Sequence, residues 1–347
     1  MIAIVVGTRP EFIKMSPIIK ELQAKKQKFF IVHTGQHYDY SMNDVYFENL
    51  KIPKPKRHWG EEFCHATIDW MIDVFKKEKP EVVLVQGDTG SVFCGAIAAL
   101  RCGIKIGHVE AGLRSWDWRM SEEHNRIMVD HVSDYCFAPT KIAVRNLLKE
   151  GIAKNKVFLV GNTIIDSVKE NLANGSVCPR KKEEFILVTL HRAENTKNKE
   201  VLKDILEGIS ELLKKTGNTA LFPIHPRTKK SIRRFGIKIP QNIRVVPPLP
   251  YLECLCVEQN ARLIITDSGG VVEEACIFGT PCITVRKSTE RPETVSIGAN
   301  CLAGTSSQGI VREGLRMLAS TTKWKHPYGQ DVAKKIIRVL NYEGFIP

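Results

Sequence analysis

The sequence predicts an α/β fold of two doubly wound parallel-sheet domains facing a central cleft. Three features lead there. Short, wholly apolar runs recur along the chain and end in glycine or polar turn residues, as strands buried on both faces do. Each run is followed by a helical pattern, and strand–helix alternation of this kind builds a doubly wound sheet. The alternation stops at residues 171–184, a polar stretch with Gly175, Pro179 and a charged run, and then starts again. A chain of 347 residues, 43% of them hydrophobic, is long and apolar enough to bury two cores.

Residues 2–6 are an apolar run closed by Gly7. Thr8-Arg9-Pro10-Glu11 then starts a helix to about Ala24, with Pro10 near its first turn. This unit lacks G-x-G-x-x-G, which disfavours nicotinamide or flavin binding. Further strands are expected at 29–33, 81–86, 105–109, 135–138 and 157–160, with helices at 39–49, 63–77 and 91–101. Beyond the break, strands at 185–190, 220–223, 243–246, 263–265 and 282–285 alternate with helices at 199–214, 228–235, 251–259, 271–277 and 308–319. A last helix at 330–341 follows Pro327-Tyr328-Gly329. No repeat with a period of roughly 20 to 50 residues is visible, which argues against a solenoid.

The net charge of +13 raises the question of nucleic acid. The basic residues are spread out, however, with only short clusters such as Lys229-Lys230 and Arg233-Arg234, and no aromatic-interleaved RNA motif. A small polyanion in a positively lined cleft fits the charge equally well, so no nucleic-acid partner is expected. The ten cysteines form no C-x-x-C, and Cys94, Cys136, Cys276 and Cys282 sit in apolar contexts, as small hydrophobes in a reducing compartment do. The opening MIAIVVG is too short for a signal peptide, and no run approaches the roughly 18 apolar residues of a membrane span. A soluble, cytoplasmic protein with no membrane partner is expected.

Residues 263–275, LIITDSGGVVEEA, read as a buried strand, a Thr-Asp-Ser-Gly-Gly turn and a helix opening at Val271. Two glycines let a backbone turn tightly and approach a ligand, and the helix aims unpaired N–H groups at whatever sits over the turn. Glu273 and Glu274 then fall in the first turn, suited to the dipole or to a ligand hydroxyl. A phosphate site and a plain strand–helix turn are both open on these residues alone. Arg9 and Lys14 flank the first strand's turn, as surface charges or as anion ligands. Asp88, Glu110, Glu122 and His191 each follow a strand or open a helix. Asp88 in QGDTGS could be a turn or cap residue. Glu110 ends an apolar strand, where burial needs a partner. Glu122 and Glu123 suit a helix start, and a lone histidine such as His191 is more often structural than catalytic. Arg114, Arg119 and Arg126 stand near enough in sequence to neutralise acids or to bind an anion. Their shared place at strand ends facing one cleft makes a site of what is weak residue by residue.

GTRPEFIKMSP, VLVQGDTGS, GHVEAGLRS, SEEHNR, TDSGGVVEEA and TERPE, in this order and at these separations, resemble the non-hydrolysing UDP-N-acetylglucosamine 2-epimerases over essentially the whole chain. That resemblance implies two Rossmann-like domains of the GT-B type. The last helix would return to the first domain, giving domains at 1–172 plus 330–347 and at 183–329. It implies UDP-GlcNAc and UDP-ManNAc as the interconverted sugars, a homodimer, and no metal or redox cofactor. Ser268, Gly269 and Gly270 would hold the diphosphate, Glu274 the ribose hydroxyls, and Arg291 and Arg9 would help hold UDP. Lys14, Asp88, Glu110, Glu122, Arg126 and His191 would line the reaction chamber. Gln36-His37 matches a pair at the allosteric substrate site of bacterial relatives. Leu249 and Cys254 stand where those relatives have glutamine and phenylalanine.

Overall fold

The structure, a computed structural model, describes residues 1–36, 47, 50–60, 63, 66–173 and 185–345. The helix expected at 39–49, apart from Phe47, lies outside the described residues, as does the break from 174 to 184. The chain divides into two compact units, Met1–Lys169 with Tyr328–Pro347, and Glu170–Pro327.

The first unit holds strands β1 (Ile2–Val6), β2 (Phe29–His33), β3 (Arg57–His58), β4 (Val82–Gln86), β5 (Lys105–Val109), β6 (Tyr135–Ala138) and β7 (Val157–Leu159). All described pairings are parallel, in the order β3-β2-β1-β4-β5-β6-β7. The helices are α1 (Arg9–Ala24), α2 (Ala66–Glu78), α3 (Gly90–Arg101), α4 (Ser121–Val132), α5 (Lys141–Lys149) and α6 (Ile164–Ala173), the last of which runs past Lys169 into the second unit. Every residue of β1 and β4 is buried, which is why they read as unbroken apolar runs. Asn171, read as the start of the break, is buried within α6 instead.

The second unit repeats the plan with β8 (Phe185–Thr189), β9 (Thr219–Pro223), β10 (Ile243–Val246), β11 (Leu263–Thr266), β12 (Cys282–Thr284) and β13 (Asn300–Leu302). Their order is β10-β9-β8-β11-β12-β13, again parallel. Its helices are α7 (Ala193–Thr196), α8 (Lys199–Thr216), α9 (Pro226–Phe235), α10 (Tyr251–Asn260), α11 (Gly269–Phe278), α12 (Pro292–Ser296) and α13 (Ser307–Ala319). Ile186, Val188, Leu263 and Ile265 pack with Leu202, Ile205 and Ile209 of α8, while Leu187 and Ile264 pack with Val272 and Ala275 of α11. Alternate residues of each strand thus serve cores on opposite faces of the sheet. The last helix, α14 (Val332–Tyr342), belongs to the first unit.

In each sheet the strand order reverses direction once, between β1 and β4 and between β8 and β11. Such a switch point opens a crevice beyond the strand C-termini, the usual ligand site of doubly wound sheets. Among the described residues no helix is long and apolar enough to cross a membrane. Cys94, Cys136, Cys276 and Cys282 are buried free thiols, whereas Cys256 is disulfide-bonded, an exception to the reading of the cysteines as small hydrophobes.

Candidate functional site

At the first switch point, Gly7 follows β1. A Cβ on Gly7 would lie 2.0 Å from Ser91 Oγ and 2.1 Å from Thr34 Oγ, so the turn after β1 fits against α3 only as glycine. Arg9 opens α1, half-buried, and Lys14 is buried one turn further along. The Lys14 ammonium is bonded to the Glu110 carboxylate, which also accepts Gln86 Nε2 at 3.1 Å. The burial of Glu110 at the end of β5 is thereby matched by a cation and an amide. Its backbone is unusual, with φ +73°, a region that L residues other than glycine enter at a cost of about 1–2 kcal/mol. The N–H groups of Glu110 and Ala111 both donate to Phe137 O, and Gly112 follows at φ +83°.

Asp88 follows β4 in the half-buried turn before α3. Arg126 of α4 bonds both Asp88 and Glu123. Asn125 Nδ2 donates to Asp88 O at 2.9 Å, so both ends of this aspartate are fixed. The paired glutamates at the start of α4 do different things. Glu123 is wholly buried and accepts from Ser115 N, Ser115 Oγ at 2.8 Å and Trp116 N at 2.8 Å, tying down the loop after β5. Glu122 is half-buried, with Ser121 Oγ 3.1 Å from its carboxylate. Arg114 pairs with Asp130 and Glu150, and Arg119 with Asp117 on the surface. The first unit thus brings Lys14 to Glu110 and Arg126 to Asp88, at the ends of adjacent strands. Gln36, from the pair with His37, accepts from Ser91 N at 2.8 Å; His37 lies outside the described residues.

At the second switch point the organising residue is Asp267, which the sequence reading passed over. It is wholly buried and accepts His191 N at 3.0 Å, Arg192 N at 3.0 Å and Asn195 Nδ2 at 3.1 Å, with His191 Nδ1 at 3.2 Å. Burial pushes its carboxyl upward, but the hydrogen bonds and the charge of His191 outweigh that and hold it below its ordinary value. Its aspartate therefore fixes the loop after β8 and orients His191, whose carbonyl also accepts Arg227 Nη1 at 3.2 Å. Thr189 and Thr266, last residues of the paired strands β8 and β11, join hydroxyls at 2.5 Å, and Thr266 Oγ accepts Ser268 N at 2.9 Å.

Helix α11 starts at Gly269, not at the expected Val271, with Ser268 as its N-cap. Glu273 and Glu274 consequently stand in the second turn rather than the first, so the dipole does not account for them. Glu273, wholly buried, bonds Arg291 Nε, and Glu274 is also buried. Arg291 lies beside the helix start: a Cβ on Gly269 would be 3.6 Å from its Nη2. That distance is an ordinary contact, and neither Gly269 nor Gly270 has a positive φ. The glycines are therefore not required by the turn, a correction to the reading of them as turn-formers. What they leave bare is the helix N-terminus, whose first N–H groups have no intrahelical acceptor.

Comparison with known proteins places the whole chain in one family. Residues 20–341 match the family described as UDP-N-acetylglucosamine 2-epimerase. The chain is 47% identical to the UDP-N-acetylglucosamine 2-epimerase of Methanococcus maripaludis, over 97% of this chain and 96% of that protein. It is 41% identical to the UDP-2,3-diacetamido-2,3-dideoxy-D-glucuronate 2-epimerase of Pseudomonas aeruginosa, over 91% and 92% of the two chains. The crystal structure of Methanocaldococcus jannaschii UDP-GlcNAc 2-epimerase in complex with UDP-GlcNAc and UDP superposes with a TM-score of 0.92 at 45% identity, covering 98% of this chain and 99% of that one. Matched over nearly its whole length in sequence and in its two Rossmann-like units, the chain belongs to the UDP-N-acetylglucosamine 2-epimerase family and is an epimerase.

Proposed function

We propose that the protein interconverts UDP-GlcNAc and UDP-ManNAc without net hydrolysis, by elimination and re-addition of UDP through a 2-acetamidoglucal. The observation that supports it most is the pair of strand-end carboxylates, Glu110 held by Lys14 and Asp88 held by Arg126. The C2 proton of the sugar is not next to a carbonyl, so no side chain can simply remove and return it. Breaking the C1–O bond first sends an electron pair to the departing diphosphate and gives C1 oxocarbenium character. C2–H is thereby acidified, and its loss to a base leaves the C1=C2 alkene. A proton delivered to the other face of C2, with UDP re-adding at C1, gives the 2-epimer, and atoms balance without a co-reactant.

The reaction needs a clamp for the leaving group and acid/base groups placed for C2. The bare N-terminus of α11 at Ser268, Gly269 and Gly270, with Arg291 beside it, suits a diphosphate, and Glu274 in the next turn suits the ribose hydroxyls. Arg9 and Lys14 supply further positive charge for the departing UDP. Asp88, Glu110, Glu122 and His191 are the acid/base candidates, and Arg126 keeps Asp88 in place. Neither metal nor redox cofactor enters this chemistry. A homodimer in the cytoplasm completes the reading, and sedimentation of the purified protein tests the assembly.

Incubation with UDP-GlcNAc in D2O, followed by proton NMR, tests the reaction. Deuterium at C2 together with UDP-ManNAc is expected. Free ManNAc and UDP would mean hydrolysis instead, and exchange only with the diacetamido-glucuronate sugar named for the Pseudomonas relative would overturn the substrate. Asp88→Asn should retain UDP binding and lose about 100- to 10,000-fold in turnover, the range of a lost general acid or base. Near-normal turnover would remove Asp88 from the mechanism.

A further inference from the structure

One histidine used by none of these steps sits between the two loops that carry the acid/base candidates. His108, in β5, is wholly buried. Its Nε2 lies 2.8 Å from the carbonyl oxygen of Gly87, the residue before Asp88. Its Nδ1 lies 2.7 Å from Asp130 Oδ1 on α4. Asp130 in turn accepts Gly112 N at 3.1 Å, two residues beyond Glu110. Carbonyl oxygens only accept. Burial pushes the Asp130 carboxyl up, but His108 and Arg114 outweigh this and hold it below its ordinary value, so it too is an acceptor. Both ring nitrogens of His108 are therefore engaged, one on the Asp88 loop and one on the carboxylate that holds Gly112.

The charges close around it. Arg114 Nη1 is 2.8 Å from Asp130 Oδ2, and its Nε and Nη2 meet Glu150 at 2.7 and 2.5 Å. Gly87 is pinned at both ends, its N–H donating to Val109 O at 3.1 Å and its carbonyl accepting from His108. The peptide leading into Asp88 thus has one orientation. On the other side Asp130 holds Gly112, which fixes the exit of the strained Glu110 backbone.

We infer that His108 is a positioning residue of the epimerisation site, which by bridging Gly87 O and Asp130 locks the Asp88 and Glu110 loops in register with one another. The inference rests on the reading of Asp88 and Glu110 as the groups that act on C2. Variants of the full-length protein test it. In His108→Gln and in Asp130→Asn, kcat should fall about 100-fold, the loss expected of a displacement near 1 Å, while KM for UDP-GlcNAc and UDP affinity stay at wild-type values. Unchanged kcat, or equal losses in kcat and UDP affinity, overturns the positioning role. Asp88→Asn and Glu110→Gln separate the two ideas. If these retain kcat, the reading of the acid/base groups fails; if they lose it while the His108 and Asp130 variants do not, the brace alone fails.

Discussion

Glu11 binds the ends of two strands together and does so from inside the protein. Its carboxyl accepts Gly7 N at 2.6 Å, Thr8 Oγ at 2.8 Å and Thr89 Oγ at 2.6 Å. Burial pushes it up from an ordinary 4.5 to about 7, against the opposing effect of those hydrogen bonds. The folded state therefore holds this proton more tightly than the unfolded chain. Its contribution to stability is fully present below about pH 4.5 and is lost as pH rises toward 7, a change of roughly 3 kcal/mol. Glu11→Gln cannot ionise, so its stability relative to wild type should improve by about that amount between pH 4.5 and 7.5. Denaturant titrations at both pH values check this, and a constant difference would mean that the hydrogen bonds offset burial and Glu11 keeps its ordinary value in the folded state. Residue roles of this kind were only half legible in the sequence. Position after an apolar run marked Asp88, Glu110 and His191. Nothing in SEEHNR distinguishes Glu122 from Glu123, because the difference is which one meets the Ser115 amide. His108, Asp130 and Asp267 were missed for the same reason: each is defined by partners distant in the chain.

At the scale of elements, glycines of positive φ divide into those required by conformation alone and those required by packing as well. Gly217 ends α8 with φ +69° and has nothing within 4 Å of where a Cβ would stand. Gly112 has φ +83°, and a Cβ there would lie 2.5 Å from the carbonyl oxygen of Ala143 in α5. Gly217→Ala should lose about 1–2 kcal/mol, the left-handed strain alone. Gly112→Ala adds a clash with a helix carbonyl that cannot swing aside and should lose more than about 3 kcal/mol. It should also lower turnover, since Glu110 is two residues away. Thermal unfolding and activity of the two variants separate these outcomes, and equal losses would show that the α5 contact relaxes. The same logic explains which elements could be read from sequence. Strands buried on both faces, such as β4 and β11, announce themselves as apolar runs. β3, Arg57–His58, and β13, Asn300–Leu302, were missed because they are two or three residues long with polar members. The start of α11 was placed two residues late because a glycine pair reads as a turn, although Ser268 already caps the helix before it.

At the scale of the molecule, the first unit is not continuous in sequence: Tyr328–Pro347 completes it after the whole second unit has intervened. Val332, Ala333, Ile336, Ile337 and Leu340 form the buried face of α14. Asp166 of α6 accepts Ala333 N at 2.8 Å, and Asn162 N donates to the carbonyl of the buried Tyr328 at 3.0 Å. A large apolar side chain taken out of water contributes about 1.5–3 kcal/mol, so the four beyond Ala333 contribute roughly 6–12 kcal/mol. That is comparable with the whole net stability of a domain, about 5–15 kcal/mol. A chain ending at Pro327 should therefore leave the first unit unfolded. The second unit, whose residues are contiguous, should be retained. Hydrogen exchange distinguishes the two outcomes strand by strand. Amides of β1, β4 and β5 should exchange freely in the truncated chain, while those of β8 and β11 stay protected. Ile336→Asp in the full-length protein should show the same pattern in weaker form, since one buried charge opposes the docking that the whole helix provides. Protection of β1, β4 and β5 in the truncated chain would show that the first sheet closes its core without α14, and that the returning helix is an accessory to that unit and no part of its foundation.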